Sequence, residues 1–343
     1  MNDSQAEHEF AQALASIDAA LATPLEKVEM LAEMALGLQQ KPKNATQLHY
    51  AVSLYDHAIA ECPSCEPLIV ARLRARKATA LRAIPGPGIE HLLLARAELE
   101  AALPPLGELG GTSEEVADAE MSLGVVLHAL AGQHAAKLTD AIAAYQRATR
   151  VFDRQRYPRE FAILQNNLAT AYLSIPAVDE RAKLREALAV QAFTEALSVV
   201  SIVDDPVEYA MLQNNLGNAL QYAASGHPIQ NGLRALEAYD EALKVRNARD
   251  TPVQYANTLA NKANCLRNSL DEPAHPARGN RRRLLEAAEL YAEAFAIFSQ
   301  HGEPEKAELV AQARAEILLE LREGQHAQPA LSSDFGQSRI GNG

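Results

Sequence analysis

Apolar residues recur at helical spacing along this chain, and the same arrangement returns roughly every 46 residues. One segment of each unit resembles residues 206–222, in which Ala210, Leu212 and Leu216 lie on one helical face. The second segment of each unit carries an aromatic residue or Leu, followed three positions later by Ala. This second motif occurs six times, as Tyr55/Ala58, Leu99/Ala102, Tyr145/Ala148, Phe193/Ala196, Tyr239/Ala242 and Tyr291/Ala294. Six returns at nearly one period predict a repeat protein with two helices in each unit.

The first helix of each unit has its own recurring sequence. Pro158–Leu168 returns as Pro206–Leu216 and, in weaker form, as Pro252–Lys262. Asp205 and Thr251 stand directly before the prolines, with an acidic or amide residue three positions later. This order is typical of a capped helix start, so we predict side-chain caps at both residues.

The chain ends differ from the repeats. Residues 1–22 predict a capping helix with one apolar face, and residues 23–323 predict the repeat domain. Residues 324–343 lack the period and are rich in Gly, Ser, Gln and Asn, which predicts a disordered tail. The apolar face of the capping helix consists of Phe10, Leu14, Ile17 and Leu21.

Leu216-Gly217, followed by Tyr239 and Ala242, resembles the tetratricopeptide repeat. The period exceeds the usual ~34 residues of that repeat. With the Asn-Asn-Leu triplet and the preceding proline, it is similar to the longer variant found in kinesin light chains and bacterial homologues. The resemblance covers roughly residues 25–323. It implies an all-α fold, an α-solenoid of about six helix-turn-helix repeats forming a right-handed superhelix.

Some positions depart from the repeat pattern. Lys77 and Lys262 occupy the place of the packing Leu, and Ser122 replaces the Asn that precedes it. We therefore expect the flanking repeats to keep the fold more closely than they keep the function.

Charge and composition narrow the functional classes. The 343 residues carry a net charge of −12, which disfavours nucleic acid and anionic membrane surfaces as partners. We expect a cytoplasmic protein, because the sequence has no signal segment and no apolar stretch near the ~20 residues of a membrane span. Ten histidines are scattered, and no nucleophile lies beside a base and an orienting acid. The sequence therefore predicts no enzyme, no cofactor and no metal site.

Asparagines recur in the predicted first helices. Asn costs about 0.6 kcal/mol relative to Ala inside a helix, so its repetition calls for a reason. In stacked repeats the first helices line the concave surface, and an amide can bind the backbone of an extended peptide. In related repeat proteins asparagines at this place hold a peptide main chain, so the resemblance implies the same here. The predicted peptide-binding residues are Asn166, Asn167, Asn214, Asn215, Asn218, Asn261, Asn264 and Arg267. Hydrogen bonds that only fix repeat stacking are the open alternative.

The leading hypothesis is an adaptor that binds an extended segment of another protein or peptide in the concave groove. A regulatory receptor for a short peptide is the second. A third is a metal- or thiol-handling protein that uses Cys62 and Cys65, two of the three cysteines. The predicted tail, residues 324–343, could also fill the groove. Nothing in the sequence indicates the oligomeric state.

Overall fold

A computed structural model describes residues 10–326, except 13, 18, 65, 87, 177–180, 224–226 and 269–280. Within that part of the chain every regular element is a helix, which confirms the all-α prediction. The helices are α1 (Pro24–Gln40), α2 (Ala45–Glu61), α3 (Pro67–Ala83), α4 (Glu90–Glu108), α5 (Ser113–Gly132), α6 (Leu138–Ala148), α7 (Pro158–Ser174), α8 (Ala182–Leu197), α9 (Pro206–Tyr222), α10 (Pro228–Leu243), α11 (Pro252–Asn268), α12 (Arg281–Gln300) and α13 (Pro304–His326).

The chain divides into two compact units, Met1–Val200 and Ser201–Gly343. In the N-terminal unit the helices pair as α1–α2, α3–α4, α5–α6 and α7–α8, and each pair packs against the next. In the C-terminal unit the pairs are α9–α10 and α11–α12, with α13 packed against α12. In both units the first helices of neighbouring pairs also contact each other. Each unit is therefore a stack of helix pairs, and the six aromatic motifs correspond to six pairs.

The aromatic-x-x-Ala motif forms the core of every pair. Its six aromatic or Leu residues and its six alanines are all buried, because they lie where the second helix meets the first helices. In two pairs a glycine on the first helix allows the tyrosine ring of the second helix to lie directly against the helix backbone. A methyl group at Gly124 would lie 2.5 Å from the Tyr145 ring, and one at Gly217 would lie 2.6 Å from the Tyr239 ring. The motif found in the sequence is thus the packing contact that defines each repeat.

The two lysines at the packing-Leu position are accommodated by ion pairs. Lys77 Nζ lies 2.6 Å from Asp56 on α2 and 2.7 Å from Glu98 on α4. Lys262 Nζ lies 2.6 Å from Asp240 on α10. Both lysine side chains are less than one-fifth exposed, at 13% and 16%. Each ammonium therefore reaches a carboxylate on the preceding second helix while its aliphatic stem fills part of the space of a leucine.

The predicted helix starts at the prolines are correct, but the predicted cap at Asp205 is wrong. Asp205 has φ −132° and ψ 62°, and its side chain makes no capping hydrogen bond. The Thr251 hydroxyl accepts from the backbone N–H of Asn247 at 3.0 Å, in the turn before α11. Side-chain capping boxes occur instead at Thr23 and Thr112. The residue before a proline is sterically restricted, and at Asp205 its backbone does not place the carboxylate over the helix end.

The predicted capping helix and tail are only partly within the described residues. Residues 10–12 and 14–17 are helical, Ile17 is buried, and the Phe10 ring stacks on Tyr50 at 4.4 Å. Leu21 does not join this apolar face as predicted; it is fully exposed, because it follows the last of these helical residues. Helix α13 extends to His326, and the rest of the predicted tail lies outside the described residues.

Candidate functional site

Three of the predicted asparagines are joined in the C-terminal unit. Asn261 on α11 donates from Nδ2 to Asn214 Oδ1 on α9 at 3.1 Å. Asn214 in turn donates to Asn215 Oδ1 at 3.5 Å, and its side chain is buried. The Asn214–Asn261 bond links the first helices of two neighbouring repeats. Part of the asparagine series therefore contributes to repeat stacking, as the alternative interpretation required.

Asn218 has a separate partner in the core of its own repeat. The Tyr239 hydroxyl lies 2.7 Å from Asn218 Oδ1 and 3.1 Å from Gln221 Oε1. Burial raises the pKa of Tyr239 well above its usual value. The amide oxygen of Asn218 thus satisfies a phenol that would otherwise be buried without a hydrogen bond.

A further hydrogen-bonded group lies near the C-terminal ends of α9 and α11. Asn264 Nδ2 donates to the Tyr222 hydroxyl at 2.7 Å, and Asn268 Nδ2 donates to Asn264 Oδ1 at 3.1 Å. The Tyr222 side chain is 63% exposed, so its ring is available at the surface. Arg267 forms an ion pair with Glu316 on α13, with 2.9 Å between Nη2 and the carboxylate.

The asparagines of α11 form a longer row than the sequence analysis identified. Asn257, Asn261, Asn264 and Asn268 follow one another at spacings of four, three and four residues, so they share one helical face. We call these four residues the amide stripe. It points away from the buried side of α11, which carries Leu259 and Leu266. Asn257 lies within the recurring segment Pro252–Lys262, but at a position that α9 fills with Met211, and Asn268 lies beyond that segment. Neither belongs to the recurring Asn-Asn-Leu triplet, whereas helical spacing within α11 alone predicts both.

The equivalent face in the N-terminal unit has a different chemistry. On α7, Asn166 Nδ2 lies 3.5 Å from Asn167 Oδ1, and the Ser174 hydroxyl lies 3.3 Å from His128 Nε2 on α5. The place of Asn167 is taken by Ser122 on α5 and by Arg76 on α3. The amide row predicted from the sequence is therefore limited to α7 within this unit.

Cys62, one of the two residues of the cysteine hypothesis, directly follows the last residue of α2. Cys62 Sγ lies 3.9 Å from the Glu66 carbonyl oxygen, and Cys65 lies outside the described residues. Cys265 is buried in α11. No group of three or more His, Cys, Asp or Glu side chains in the described part of the chain could hold a metal ion. Its helices include none long and apolar enough to cross a membrane.

Helix pairs stacked through an aromatic-x-x-Ala contact, with polar residues on the face of the first helices away from the core, form a helical-repeat fold of the tetratricopeptide type. No protein-family model and no curated protein sequence matches the chain. Among solved structures, the chain is similar to the apo quorum sensor NprR from B. thuringiensis, with 12% identity and a TM-score of 0.53. That alignment covers 92% of this chain and 83% of NprR.

Two other solved structures align with lower TM-scores. The protein BtubC from P. vanneervenii has 14% identity and a TM-score of 0.40, with 97% of this chain and 99% of that chain covered. The TPR2AB domain of yeast Sti1, solved with an HSP90 peptide, has 15% identity and a TM-score of 0.31, with 85% and 98% covered. At 12% identity, the similarity to NprR shows a shared fold and nothing further.

Proposed function

We propose that this protein is a non-enzymatic binding module that holds an extended segment of another polypeptide. The segment would lie on the faces of the first helices that point away from the buried core. The amide stripe of α11 is the observation that carries this proposal. Four asparagines in one helix cost about 2.5 kcal/mol of helix propensity relative to alanine. Asn257 forms no side-chain hydrogen bond with another described residue. Intramolecular hydrogen bonds therefore do not compensate for the helix-propensity cost of Asn257.

The hydrogen-bonding capacity of the stripe suits a polypeptide main chain. Each amide offers two N–H donors and an oxygen with two lone pairs, and the intramolecular bonds use only some of them. Packed helices lie about 8–10 Å apart, which matches about three residues of extended chain. Asparagines at equivalent positions of α9 and α11 could therefore contact peptide groups about three residues apart.

Side-chain contacts must add to these hydrogen bonds. A net hydrogen bond contributes about 1 kcal/mol, whereas micromolar affinity needs about 8 kcal/mol. Tyr222 and Met211 lie on the same face of α9 as Asn215 and Asn218, and the exposed Tyr222 ring offers apolar area. We infer that Tyr222 is a specificity residue. In the N-terminal unit Ser174 occupies the equivalent position of α7, and the neighbouring Leu173 is 39% exposed.

The same surface would serve an adaptor or a receptor for a short peptide. The solved structure that shares the fold, NprR, is described as a quorum sensor, which favours keeping the receptor as a second candidate. A receptor must change its conformational equilibrium when the peptide binds, whereas an adaptor need not. Hydrogen exchange of the two units with and without bound peptide distinguishes these cases.

The experiment is a selection of random peptides displayed on phage, followed by affinity measurement with the enriched peptides. We compare the wild type with Asn257→Ala, which removes an amide that has no intramolecular partner. Gln230→Ala, an exposed amide on the second helix α10, is the matched control. Binding should weaken in Asn257→Ala and stay unchanged in Gln230→Ala, with equal helicity in all three proteins.

Two outcomes contradict the proposal. If no peptide is enriched on the wild-type protein, the surface does not bind extended polypeptide. If peptides are enriched but bind Asn257→Ala and Asn167→Ala as tightly as wild type, the asparagines are structural and the binding site lies elsewhere.

A further inference from the structure

The N-terminal unit contains a surface cavity of about 340 Å³ between the first helices α3 and α5. It lies on the face of α3 that carries Arg76, the residue in the place of Asn167. Ligand sites begin at about 300 Å³, so this volume suits one or two side chains of a larger ligand. The lining residues used below are Arg72, Arg76, Leu106, Glu115, Asp118 and Ser122.

Two of the four charged residues neutralise each other. Arg72 donates from Nε to Glu115 Oε1 at 2.7 Å and from Nη2 to Glu115 Oε2 at 3.1 Å. The hydrogen bond from Arg72 lowers the pKa of Glu115, so that carboxyl stays ionised. This bidentate pair joins α3 to α5 and holds the wall of the cavity in place.

The other two charged residues are not neutralised in this way. Arg76 lies one helical turn after Arg72, Asp118 lies one turn after Glu115, and both are exposed. Neither forms an ion pair or a side-chain hydrogen bond with a described residue. Desolvation, with the neighbouring carboxylates of Glu160 and Glu114, raises the pKa of Asp118, and no nearby cation lowers it. The cavity therefore presents a guanidinium on α3, which also acts electrostatically on Glu115, and a carboxylate on α5. Neither group forms an ion pair with a residue that the structure describes.

We infer that this cavity is a charge-selective subsite for a ligand group that carries a cation and an anion close together, the cation contacting Asp118 and the anion contacting Arg76. In a bound polypeptide, this group is a basic side chain and an acidic side chain within a few residues of each other. The inference rests on the proposed function, since the subsite would select the polypeptide that Asn167, on α7 of the same unit, holds by its main chain.

The surroundings of the two charges favour a dipolar group over a single ion. Among the lining residues, Arg72 and Glu115 cancel, and Arg76 and Asp118 have opposite signs, so a ligand with one charge would meet both an attractive and a repulsive group. The carboxylates of Glu114 and Glu160, which do not line the cavity, add to the attraction of a cation to Asp118. The Ser122 side chain adds a hydroxyl beside Asp118, and the buried Leu106 provides an apolar floor. A free amino acid carries the same two charges, so the test includes it.

The test uses the same displayed random peptides against the full chain. The wild type should enrich peptides in which a basic residue and an acidic residue lie within about four positions. Asp118→Asn should abolish the preference for the basic residue only, and Arg76→Gln should abolish the preference for the acidic residue only. The controls are Asp140→Asn and Arg82→Gln, exposed charges on α6 and at the end of α3 that do not line the cavity.

Affinity measurements with one enriched peptide give the magnitude. Each single substitution should raise Kd about tenfold, the usual effect of removing one charge-assisted contact. The charge exchange Arg76→Asp/Asp118→Arg should restore selection of a charged pair but invert its order along the peptide. Because this variant keeps both charges, the inverted order cannot arise from misfolding.

The outcomes separate the subsite from the general proposal. If enriched peptides require Asn167 but show no charged pair, or keep that pair in both single variants, the subsite is refuted and peptide binding stands. If no peptide is enriched and no free amino acid binds, both ideas fail. Calorimetric titration with L-lysine, L-glutamate and glycine tests the other source of the two charges. Saturable binding of one of them that is lost in Asp118→Asn, without peptide enrichment, would refute the polypeptide as ligand and assign the cavity to a free amino acid.

Discussion

The close contact between Gly217 and Tyr239 makes one substitution a sharp test of the packing. Gly217→Ala places a methyl group 2.6 Å from Cε1, 2.8 Å from Cζ and 2.9 Å from Cδ1 of the Tyr239 ring. Ordinary contacts between carbon atoms are about 3.5–4.0 Å long, so the ring or the helix must move by about 1 Å. The ring has little freedom, since it is completely buried and its hydroxyl is bound to Asn218.

Opposing effects determine how Gly217→Ala changes the free energy of unfolding. Overpacking of this kind costs about 1–3 kcal/mol, and a displaced Tyr239 hydroxyl loses about 1 kcal/mol of hydrogen bonding. Replacing Gly by Ala inside a helix gains about 1 kcal/mol. Gly217→Ala should therefore lower the free energy of unfolding by about 1–3 kcal/mol. Complete unfolding is not expected, because Ala263 takes the same place opposite Tyr291 in the α11–α12 pair.

The matched control is Gly37→Ala in α1, where an added methyl group meets no atom within 4 Å. This variant keeps the gain in helix propensity and has no overlap, so it should be more stable by about 0.5–1 kcal/mol. The assay is urea unfolding followed by far-UV circular dichroism, fitted with a nearest-neighbour repeat model. The change from Gly to Ala should thus lower the free energy of unfolding at position 217 and raise it at position 37.

A double-mutant cycle with Tyr239→Leu tests the cause directly. The α3–α4 pair already combines Ala78 with Leu99, and both are buried. The double variant Gly217→Ala/Tyr239→Leu should therefore be more stable than the sum of the single changes predicts, by about 1 kcal/mol or more. Additive effects, or a Gly217→Ala protein as stable as Gly37→Ala, would refute the overlap as the source of the cost.

Three further predictions concern polar contacts. Asn261→Ala should lower stability by up to about 1 kcal/mol, because it removes the bond to Asn214, whereas Asn257→Ala should be neutral or slightly stabilising; equal effects in urea unfolding would contradict this. Lys77→Ala should cost about 1–2 kcal/mol in the same assay, since it removes contacts to two carboxylates; an unchanged unfolding midpoint would show that the ion pairs do not compensate for the missing leucine. Burial lowers the pKa of His128, so the unfolded chain binds more protons between that lowered pKa and about 6.5, and stability should fall as pH drops through this window. In His128→Asn this contribution to the pH slope should be absent; an identical slope in both proteins would assign the dependence to other groups.

The helix pairs and their core could be predicted because the information is local and repeated. An aromatic residue and an Ala three positions later share a helical face, and six copies at one period leave little choice of partner. The buried Tyr55, Tyr145 and Tyr239, with Ala at each motif, follow directly from that spacing. The proline starts of α7, α9 and α11 were found in the same way, because a proline acts on the residues next to it.

The polar contacts could not be predicted, because they join residues of different helices. The ion pairs of Lys77 and the bond from Asn261 to Asn214 each depend on the angle and distance between two packed helices. Sequence spacing places residues on a helical face but does not specify which side chains on neighbouring helices meet. The predicted cap at Asp205 was wrong for a related reason. Whether the carboxylate reaches the helix end depends on the backbone geometry of the turn, which the order of residues alone does not specify.

The candidate site combines both kinds of information. The sequence alone determined that asparagines recur at one position of the first helices, and helical periodicity determines that Asn257 and Asn268 extend that row on α11. Only the tertiary structure decided that Asn214 is used in stacking while the Asn257 side chain bonds to no other described residue, and that Arg76 and Asp118 line one cavity between α3 and α5. The physical reason is that helical periodicity is a property of consecutive residues, whereas ion pairing and cavity shape depend on the packing of helices that are distant in sequence.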